Sequence, residues 1–283
     1  MCRLTPIKAS LPFLVGGLFH DGLEKFYDGK FKEQTFRKYV QDKIEAAMEA
    51  ATSSQESELL WVQEIVVMGM LSGYIERYAK QDKVQWKIIA PETDFTFKLQ
   101  NGMTYAGKRD LLVESRKTPG ITLVEHKTTG YITPGYIAKL PLDNQIQIYC
   151  VSVEKEYGKL PKRVIYNIIK KPGIRQKQNE SFEQYRVRVE QEYKDNLTSY
   201  FYREVVPISS LKAKEHSLEL EKCACEIQRA IKEGYYYKNT TQCTSFGNCP
   251  FMPLCLKQPL AINGFNQRES LHSELSIQGE KDD

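Results

Sequence analysis

A change of hydrophobic period near residue 80 constrains the fold more than any other feature of the sequence. Before it, apolar residues recur at helical spacing, and the segment 56–80 is long and apolar enough to form a buried helix. Over 83–115 the pattern alternates with period two and contains Asn101-Gly102, a strong hairpin signal. The first part of the chain is therefore predicted to be helical, and the part after it to begin a β-sheet.

The rest of the chain mixes the two patterns. Strands are predicted at 121–128 and 163–171. The other predicted helices cover 16–29, 31–50, 135–157, 180–203 and 208–233. This order predicts one α/β domain over residues 1–258, with a mixed sheet flanked by helices and a cysteine-rich C-terminal segment. Residues 259–283 lack apolar periodicity, which predicts a disordered tail.

Composition excludes several classes of protein. A chain of 283 residues can bury a sizeable core, and its formal net charge of +4 permits contact with nucleic acid without requiring it. No apolar run approaches the roughly 18 residues of a membrane span, so no membrane partner is expected. The apolar stretch 11–19 contains Pro12 and lacks a small-residue cleavage site, unlike a signal peptide. Seven cysteines, five of them after position 222, predict a cytoplasmic protein with a local metal site rather than a disulfide framework.

Two carboxylates and a lysine lie near the ends of apolar strands. Period-two geometry places Glu125 and Lys127 on one side of a strand and the side chain of His126 on the other. The neighbouring strand can bring Asp110 to the same side as Glu125. Converging carboxylates, with the His126 backbone carbonyl as a further possible ligand, suit Mg²⁺ or Mn²⁺ and hence phosphodiester hydrolysis.

Each of these residues also has an ordinary structural interpretation. Asp110 could be a surface acid, and Glu125 with Lys127 an exposed pair on one strand. The pattern [DE]-x-K is weak, because it recurs at 28–30 and 192–194. No G-x-S-x-G or G-x-x-x-x-G-K motif indicates acyl transfer or nucleotide binding.

Four ordered motifs resemble one family. "GKRD" (107–110) and "EHK" (125–127) resemble motifs II and III of the PD-(D/E)XK nuclease superfamily. "GGLFHDGLE" (16–24) resembles the N-terminal motif of its RecB and lambda-exonuclease branch, which includes phage exonucleases and CRISPR adaptation nucleases. Gln145 and Tyr149 match the Q-x-x-x-Y motif that follows the catalytic strand.

The resemblance implies a restriction-endonuclease-like core and a role for each residue. It implies that His20 joins Asp110 and Glu125 around the metal ion and that Lys127 is catalytic. It implies that Gln145 and Tyr149, on one helix face, contact the DNA strand near the metal. Three neighbouring residues stay outside this set. Glu92 is interpreted as a strand-end surface acid, with an outer metal ligand through water as the alternative. Lys108 and Arg109 are interpreted as a solvated pair of charges, with contact to phosphate as the alternative.

The C-terminal cysteines form a separate motif. Cys243, Cys249 and Cys255 are separated from one another by five residues that include proline and glycine, which predicts a loop. In the same nuclease branch such a trio joins an upstream cysteine to hold a four-iron, four-sulfur cluster, and the upstream cysteine here is Cys2. Zinc is the alternative, although the C-x2-C pattern typical of zinc ribbons is absent.

These features together predict a metal-dependent deoxyribonuclease that acts as an exonuclease on DNA ends or single strands. The implied setting is recombination, repair or adaptation in the cytoplasm of a prokaryotic or phage-infected cell, with partner proteins of those processes. An endonuclease of the same superfamily is one alternative. A nucleic-acid-binding protein that has lost catalysis is another, which the intact Asp, Glu, Lys and His disfavour.

Overall fold

The protein is a five-stranded mixed sheet with helices on both faces and a separate two-stranded sheet. The computed structural model describes residues 4–7, 10–49, 51, 53–245 and 247–268. Its strands are β1 (Leu4–Pro6), β2 (Trp86–Lys98), β3 (Thr104–Ser115), β4 (Ile121–Thr129), β5 (Arg163–Lys170), β6 (Phe201–Pro207) and β7 (Phe265–Gln267). The main sheet has the order β2-β3-β4-β5-β6, and only β4 and β5 pair in parallel. This architecture confirms the predicted fold class.

The helices follow the predicted segments closely in the first half of the chain and less closely afterwards. They are α1 (Leu11–Tyr27), α2 (Glu33–Met48), α3 (Ser54–Gln85), α4 (Pro134–Lys139), α5 (Asn144–Tyr157), α6 (Phe182–Asp195), α7 (Leu197–Tyr200), α8 (Ser210–Glu233) and α9 (Met252–Cys255). The predicted helix 135–157 is divided by a 3₁₀ turn at Leu140–Leu142, because Pro141 cannot continue a helix. The predicted helix 180–203 ends early, and β6 takes up its last residues.

The C-terminal segment is more ordered than its composition indicated. The sequence predicted a disordered tail from residue 259, whereas Ala261–Gly264 form a 3₁₀ turn and β7 pairs with β1, with Leu4 opposite Gln267. Residues 269–283 lie outside the described part of the chain. The pairing ties the N-terminal strand to the end of the cysteine-rich segment.

Hydrophobic cores lie on both faces of the main sheet, with a smaller cluster around Trp86, Leu111 and Val124. One is built by α1, α2, α3 and α6, and the other by α5 against β3, β4 and β5, with α8 packed on α5. Within the described residues, α3 alone is long and apolar enough to cross a membrane, but 61% of its apolar window is buried inside the protein. That burial is typical of a core helix.

Candidate active site

Asp110 lies where strands β3 and β4 separate. The antiparallel ladder between them stops at the pair Leu111–Val124. One residue further on, Asp110 Oδ2 accepts the backbone N–H of His126 at 2.7 Å. The carboxylate thus replaces the ladder bond that the diverging strand no longer supplies. Burial would raise the pKa of Asp110, but His20 and this backbone N–H outweigh it and lower the pKa to about 2.

Helix α1 brings His20 to this carboxylate. The helix packs closely on α3, since a Cβ added at Gly22 would lie 2.4 Å from a side-chain carbon of Leu71. His20 Nδ1 is 3.4 Å from Asp110 Oδ1 and 3.3 Å from Glu92 Oε1. Burial lowers the pKa of His20, but the two carboxylates outweigh it and raise the pKa well above the ordinary value. The two carboxylates therefore favour the protonated imidazole of His20.

Glu92 is the acidic residue that the sequence prediction left outside the metal set. Ladder pairs on either side place it opposite Asp110 across β2 and β3. The backbone φ of Glu92 is +40°, which is unusual for a residue with a side chain. Such a conformation costs about 1–3 kcal/mol of backbone strain, and strained residues of this kind cluster at functional sites. One ligand atom each from His20, Glu92 and Asp110 lie within 4.8 Å of one another. The preceding Pro91, inside a period-two pattern, was the signal for an irregular strand here.

Glu125 is buried beside this group and pairs with Lys127. Its Oε1 is 2.6 Å from Lys127 Nζ, as the period-two pattern predicts for two residues on one side of a strand. Its Oε2 is buried and has no hydrogen-bond partner among the described residues. Burial, and then repulsion from Asp110, raise the pKa of Glu125 to about 8, with Lys127 offsetting them only in part.

This donor set fits a divalent cation. Carboxylate oxygens with an imidazole nitrogen suit hard or borderline metal ions such as Mg²⁺ and Mn²⁺. The unpartnered oxygen of Glu125 is a group that a cation nearby would satisfy, because buried polar atoms are otherwise hydrogen-bonded. His20, Glu92 and Asp110 form the group that could bind the ion, and Glu125 borders it.

Helix α5 covers the same side of β4. Asp143 caps its N-terminus by accepting the N–H of Gln145. Gln145 accepts a hydrogen bond from Lys127 through Oε1 and donates from Nε2 to the Tyr149 hydroxyl at 2.7 Å. The i,i+4 spacing thus places both side chains toward Lys127.

The His126 side chain points to the opposite face, as predicted, and enters a buried polar network. Its Nδ1 is 3.1 Å from Asn167 Nδ2, and the Asn167 carbonyl oxygen accepts from Arg203 Nε at 2.6 Å. Arg203 in turn makes two hydrogen bonds, of 2.6 and 2.8 Å, to Asp82. Burial lowers the pKa of His126 to about 3, so its ring is neutral. The network lies beside the candidate metal site, since the His126 ring is 6.1 Å from the ring of His20.

Neither earlier interpretation of Arg109 is correct. Its side chain is fully buried, so it is neither a solvated charge nor a phosphate contact. The guanidinium pairs with Glu156 of α5 and lies 5.2 Å from the centre of the Phe95 ring. Lys108 remains more accessible, with Nζ 3.8 Å from Asp94.

The three C-terminal cysteines lie in one loop. The Cys249 N–H donates to the Cys243 carbonyl at 2.8 Å, and Cys255 ends the short helix α9. Their thiols do not form a group within 4.8 Å among the described residues. Cys2 lies outside the described residues, so the proposed fourth ligand has no described position.

Comparison with known proteins identifies the family. A sequence model of the PD-(D/E)XK nuclease superfamily matches residues 3–256. The chain therefore belongs to that superfamily of nucleic-acid hydrolases, which use divalent metal ions. No curated protein matches the chain. Among solved structures, a "Putative exonuclease" from Eubacterium rectale is similar at 14% identity and a TM-score of 0.42, over 95% of this chain and 80% of that one.

Proposed function

We propose that this protein is a Mg²⁺- or Mn²⁺-dependent deoxyribonuclease of the RecB-like branch. The observation that carries the proposal is the convergence of His20, Glu92 and Asp110 beside the buried carboxyl of Glu125. Asp110, Glu125 and His20 hold the cation in this proposal, with Glu92 added to the set inferred from sequence. The His126 backbone carbonyl completes it.

The chain's own residues supply the remaining functions. A bound divalent cation polarises the phosphodiester and makes water more acidic. Lys127 stabilises negative charge that develops on the phosphate. Burial opposes its charge, but Glu125 and Asp143 outweigh burial and raise the pKa of Lys127, which keeps the ammonium protonated. Gln145 orients that ammonium, and Gln145 and Tyr149 position the DNA strand.

The finer activity is an exonuclease on DNA ends or single strands. This part of the proposal rests on the resemblance of the four motifs to RecB-like and phage exonucleases. The same resemblance gives the setting: recombination, repair or adaptation, with protein partners, in the cytoplasm of a prokaryotic or phage-infected cell.

The cysteine loop is proposed to hold a four-iron, four-sulfur cluster through Cys243, Cys249, Cys255 and Cys2, with zinc as the alternative. The pairing of β1 with β7 supports it, because this pairing holds residues 4–6 beside the segment that follows the loop. Phe265 of β7 also stacks on Phe251 of the loop, with ring centres 5.2 Å apart. A cluster there has a structural role, since hydrolysis transfers no electron.

A substrate comparison tests the proposed activity. Purified protein is incubated with end-labelled linear and with circular single-stranded DNA in Mg²⁺, Mn²⁺ or EDTA. An exonuclease degrades only the linear DNA, and only with metal ions. Cleavage of the circle identifies an endonuclease instead, and binding of DNA without cleavage in either metal identifies a catalytically silent protein.

A further inference from the structure

Thr129 is the last residue of β4 and lies at the carboxyl end of this central strand. This end of the main sheet is here called its edge. The Thr129 carbonyl accepts the backbone N–H of Lys171 at 2.7 Å. Its hydroxyl donates to the Tyr131 carbonyl at 3.0 Å and lies 3.3 Å from the Tyr131 backbone nitrogen. Strand β4 also carries Glu125, so Thr129 lies about 13 Å along the strand from that carboxyl. This distance corresponds to a few nucleotides.

Tyr131 presents an unpacked aromatic ring at this edge. Its side chain is 80% exposed, although its backbone is fixed by Thr129. An exposed aromatic ring on a short, anchored loop offers a face that is suited to stacking on a flat partner.

A second exposed aromatic side chain approaches from α1. Gly16 packs beside β4, since a Cβ added there would lie 3.9 Å from Thr128 Oγ1. The helix runs from this edge toward His20, so Phe13, which precedes Gly16 by about 4.5 Å along the axis, lies further out at the edge. Phe13 is 83% exposed.

Lys171, whose backbone is bonded to Thr129, supplies a positive charge at the same end of the sheet. Its side chain is half-buried, and burial alone lowers the pKa of Lys171, with no carboxylate of the described residues offsetting it. Its neighbour Lys170 instead lies over the Tyr200 ring, 5.6 Å from the ring centre. A partly desolvated ammonium favours an anionic ligand such as phosphate.

We propose that Phe13, Tyr131 and Lys171, the edge cluster, bind unpaired nucleotides a few positions from the scissile phosphate. The aromatic rings stack on bases, whose faces are accessible only in a single strand or at an end, and Lys171 binds the intervening phosphate. The charge beside the rings favours nucleic acid over a protein partner. This inference rests on the proposed nuclease function and assigns its substrate as single-stranded.

Binding without cleavage tests the edge cluster. The affinity of full-length protein for a fluorescent single-stranded oligonucleotide is measured by anisotropy in EDTA at several salt concentrations. Tyr131→Ala is expected to weaken binding by about 5- to 100-fold per lost stacked base, and Tyr131→Phe to retain it. Lys171→Ala is expected to lower the slope of log affinity against log salt by about 0.7, as one lost phosphate contact predicts.

Matched variants control for exposure and charge. Tyr237 is also 80% exposed, and Lys212 is an exposed lysine on α8. Tyr237→Ala and Lys212→Ala are expected to bind within about twofold of wild type. The proposal is overturned if Tyr131→Ala binds the single strand like wild type, or if Tyr131→Phe loses as much affinity as Tyr131→Ala. It is also overturned if Tyr131→Ala weakens binding of a closed duplex as much as binding of the single strand. A change in oligomeric state with unchanged DNA binding would also overturn it, in favour of a protein contact. Since cleavage is not measured, a failed nuclease assignment would be seen separately.

Discussion

The Asp110 carboxylate accepts the backbone N–H of His126 at 2.7 Å, across the point where β3 and β4 part. Asp110 thus has a structural function besides any role in metal binding. Asp110→Ala leaves a buried N–H without a partner and should destabilise the protein by about 1–3 kcal/mol. Asp110→Asn keeps an acceptor oxygen but loses the charge that faces His20, so it should be destabilised less than Asp110→Ala in urea, while both variants lose cleavage. Equal destabilisation by both would contradict this account of the hydrogen bond.

Glu92 should contribute to metal affinity. Glu92→Gln removes one charge from the group that contacts His20, so Mn²⁺ binding measured by calorimetry should weaken by at least tenfold, in the range reported for lost metal-site partners. Glu114→Gln, at a half-exposed acid near the other end of β3, is the control and should bind Mn²⁺ like wild type. Unchanged Mn²⁺ affinity in Glu92→Gln would show that Glu92 does not bind the ion and is a strand-end surface acid, as the sequence indicated.

Glu125 should make Mn²⁺ binding dependent on pH. Its pKa is about 8 in the metal-free protein and about 4.3 in an unfolded chain, so protonation stabilises the folded state fully below pH 4.3. That stabilisation is lost as the pH rises through 8. A cation requires the carboxylate, so Mn²⁺ affinity should rise from pH 6.5 to 8.5 by up to about tenfold per pH unit for each proton displaced.

The variant Glu125→Gln distinguishes the proton released by Glu125 from the protons released by other groups when Mn²⁺ binds. Glu125→Gln cannot titrate, and the pH dependence of its Mn²⁺ affinity should be shallower by one proton in calorimetric titrations. The remaining slope belongs to His20, whose imidazolium also releases a proton on metal binding. The same slope in wild type and Glu125→Gln would refute the raised pKa of Glu125.

The Arg203–Asp82 pair should be essential to stability. Asp82 is buried and Arg203 is half-buried, so Arg203→Ala leaves an uncompensated buried carboxylate and should cost about 3–5 kcal/mol in urea denaturation. Arg229→Ala removes an exposed pair with Glu233 on α8 and should change stability by no more than about 0.5 kcal/mol. Similar losses for the two variants would argue against a special role for the buried network.

The cysteine proposal predicts colour and iron. Protein purified without oxygen should be brown and contain about four iron atoms per chain. Cys249→Ser should lose the iron and melt at a lower temperature, because the cluster would link distant segments. Cys223→Ser, at an exposed cysteine of α8, should keep both. Colourless protein that contains one zinc ion per chain would contradict the iron–sulfur cluster and favour a zinc site.

Local pattern predicted the framework of the fold, because period and turn signals act over a few residues. The hairpin at Asn101-Gly102, the buried helix α3 and the shared side of Glu125 and Lys127 all follow from such signals. Strand β6 was missed because its residues continue the preceding helical pattern, and only pairing with β5 makes them a strand. Strand β7 was missed for the same reason, because it forms by pairing with the distant strand β1.

The metal group was only partly predictable for a similar reason. Asp110 and His20 belong to recognisable motifs, whereas Glu92 joins them through a strained backbone opposite Asp110, which depends on the register of two strands. The burial of Arg109 depends on Phe95 and on Glu156 of α5, which no single segment indicates.

Metal-dependent cleavage tests the central claim most directly. Linear single-stranded DNA is incubated with wild type, Glu125→Gln and the control Glu114→Gln in Mn²⁺ and in EDTA. We expect degradation by wild type and Glu114→Gln in Mn²⁺ only, and none by Glu125→Gln although it remains folded. Wild-type rates in Glu125→Gln, or equal cleavage in EDTA, would contradict the assignment of this site.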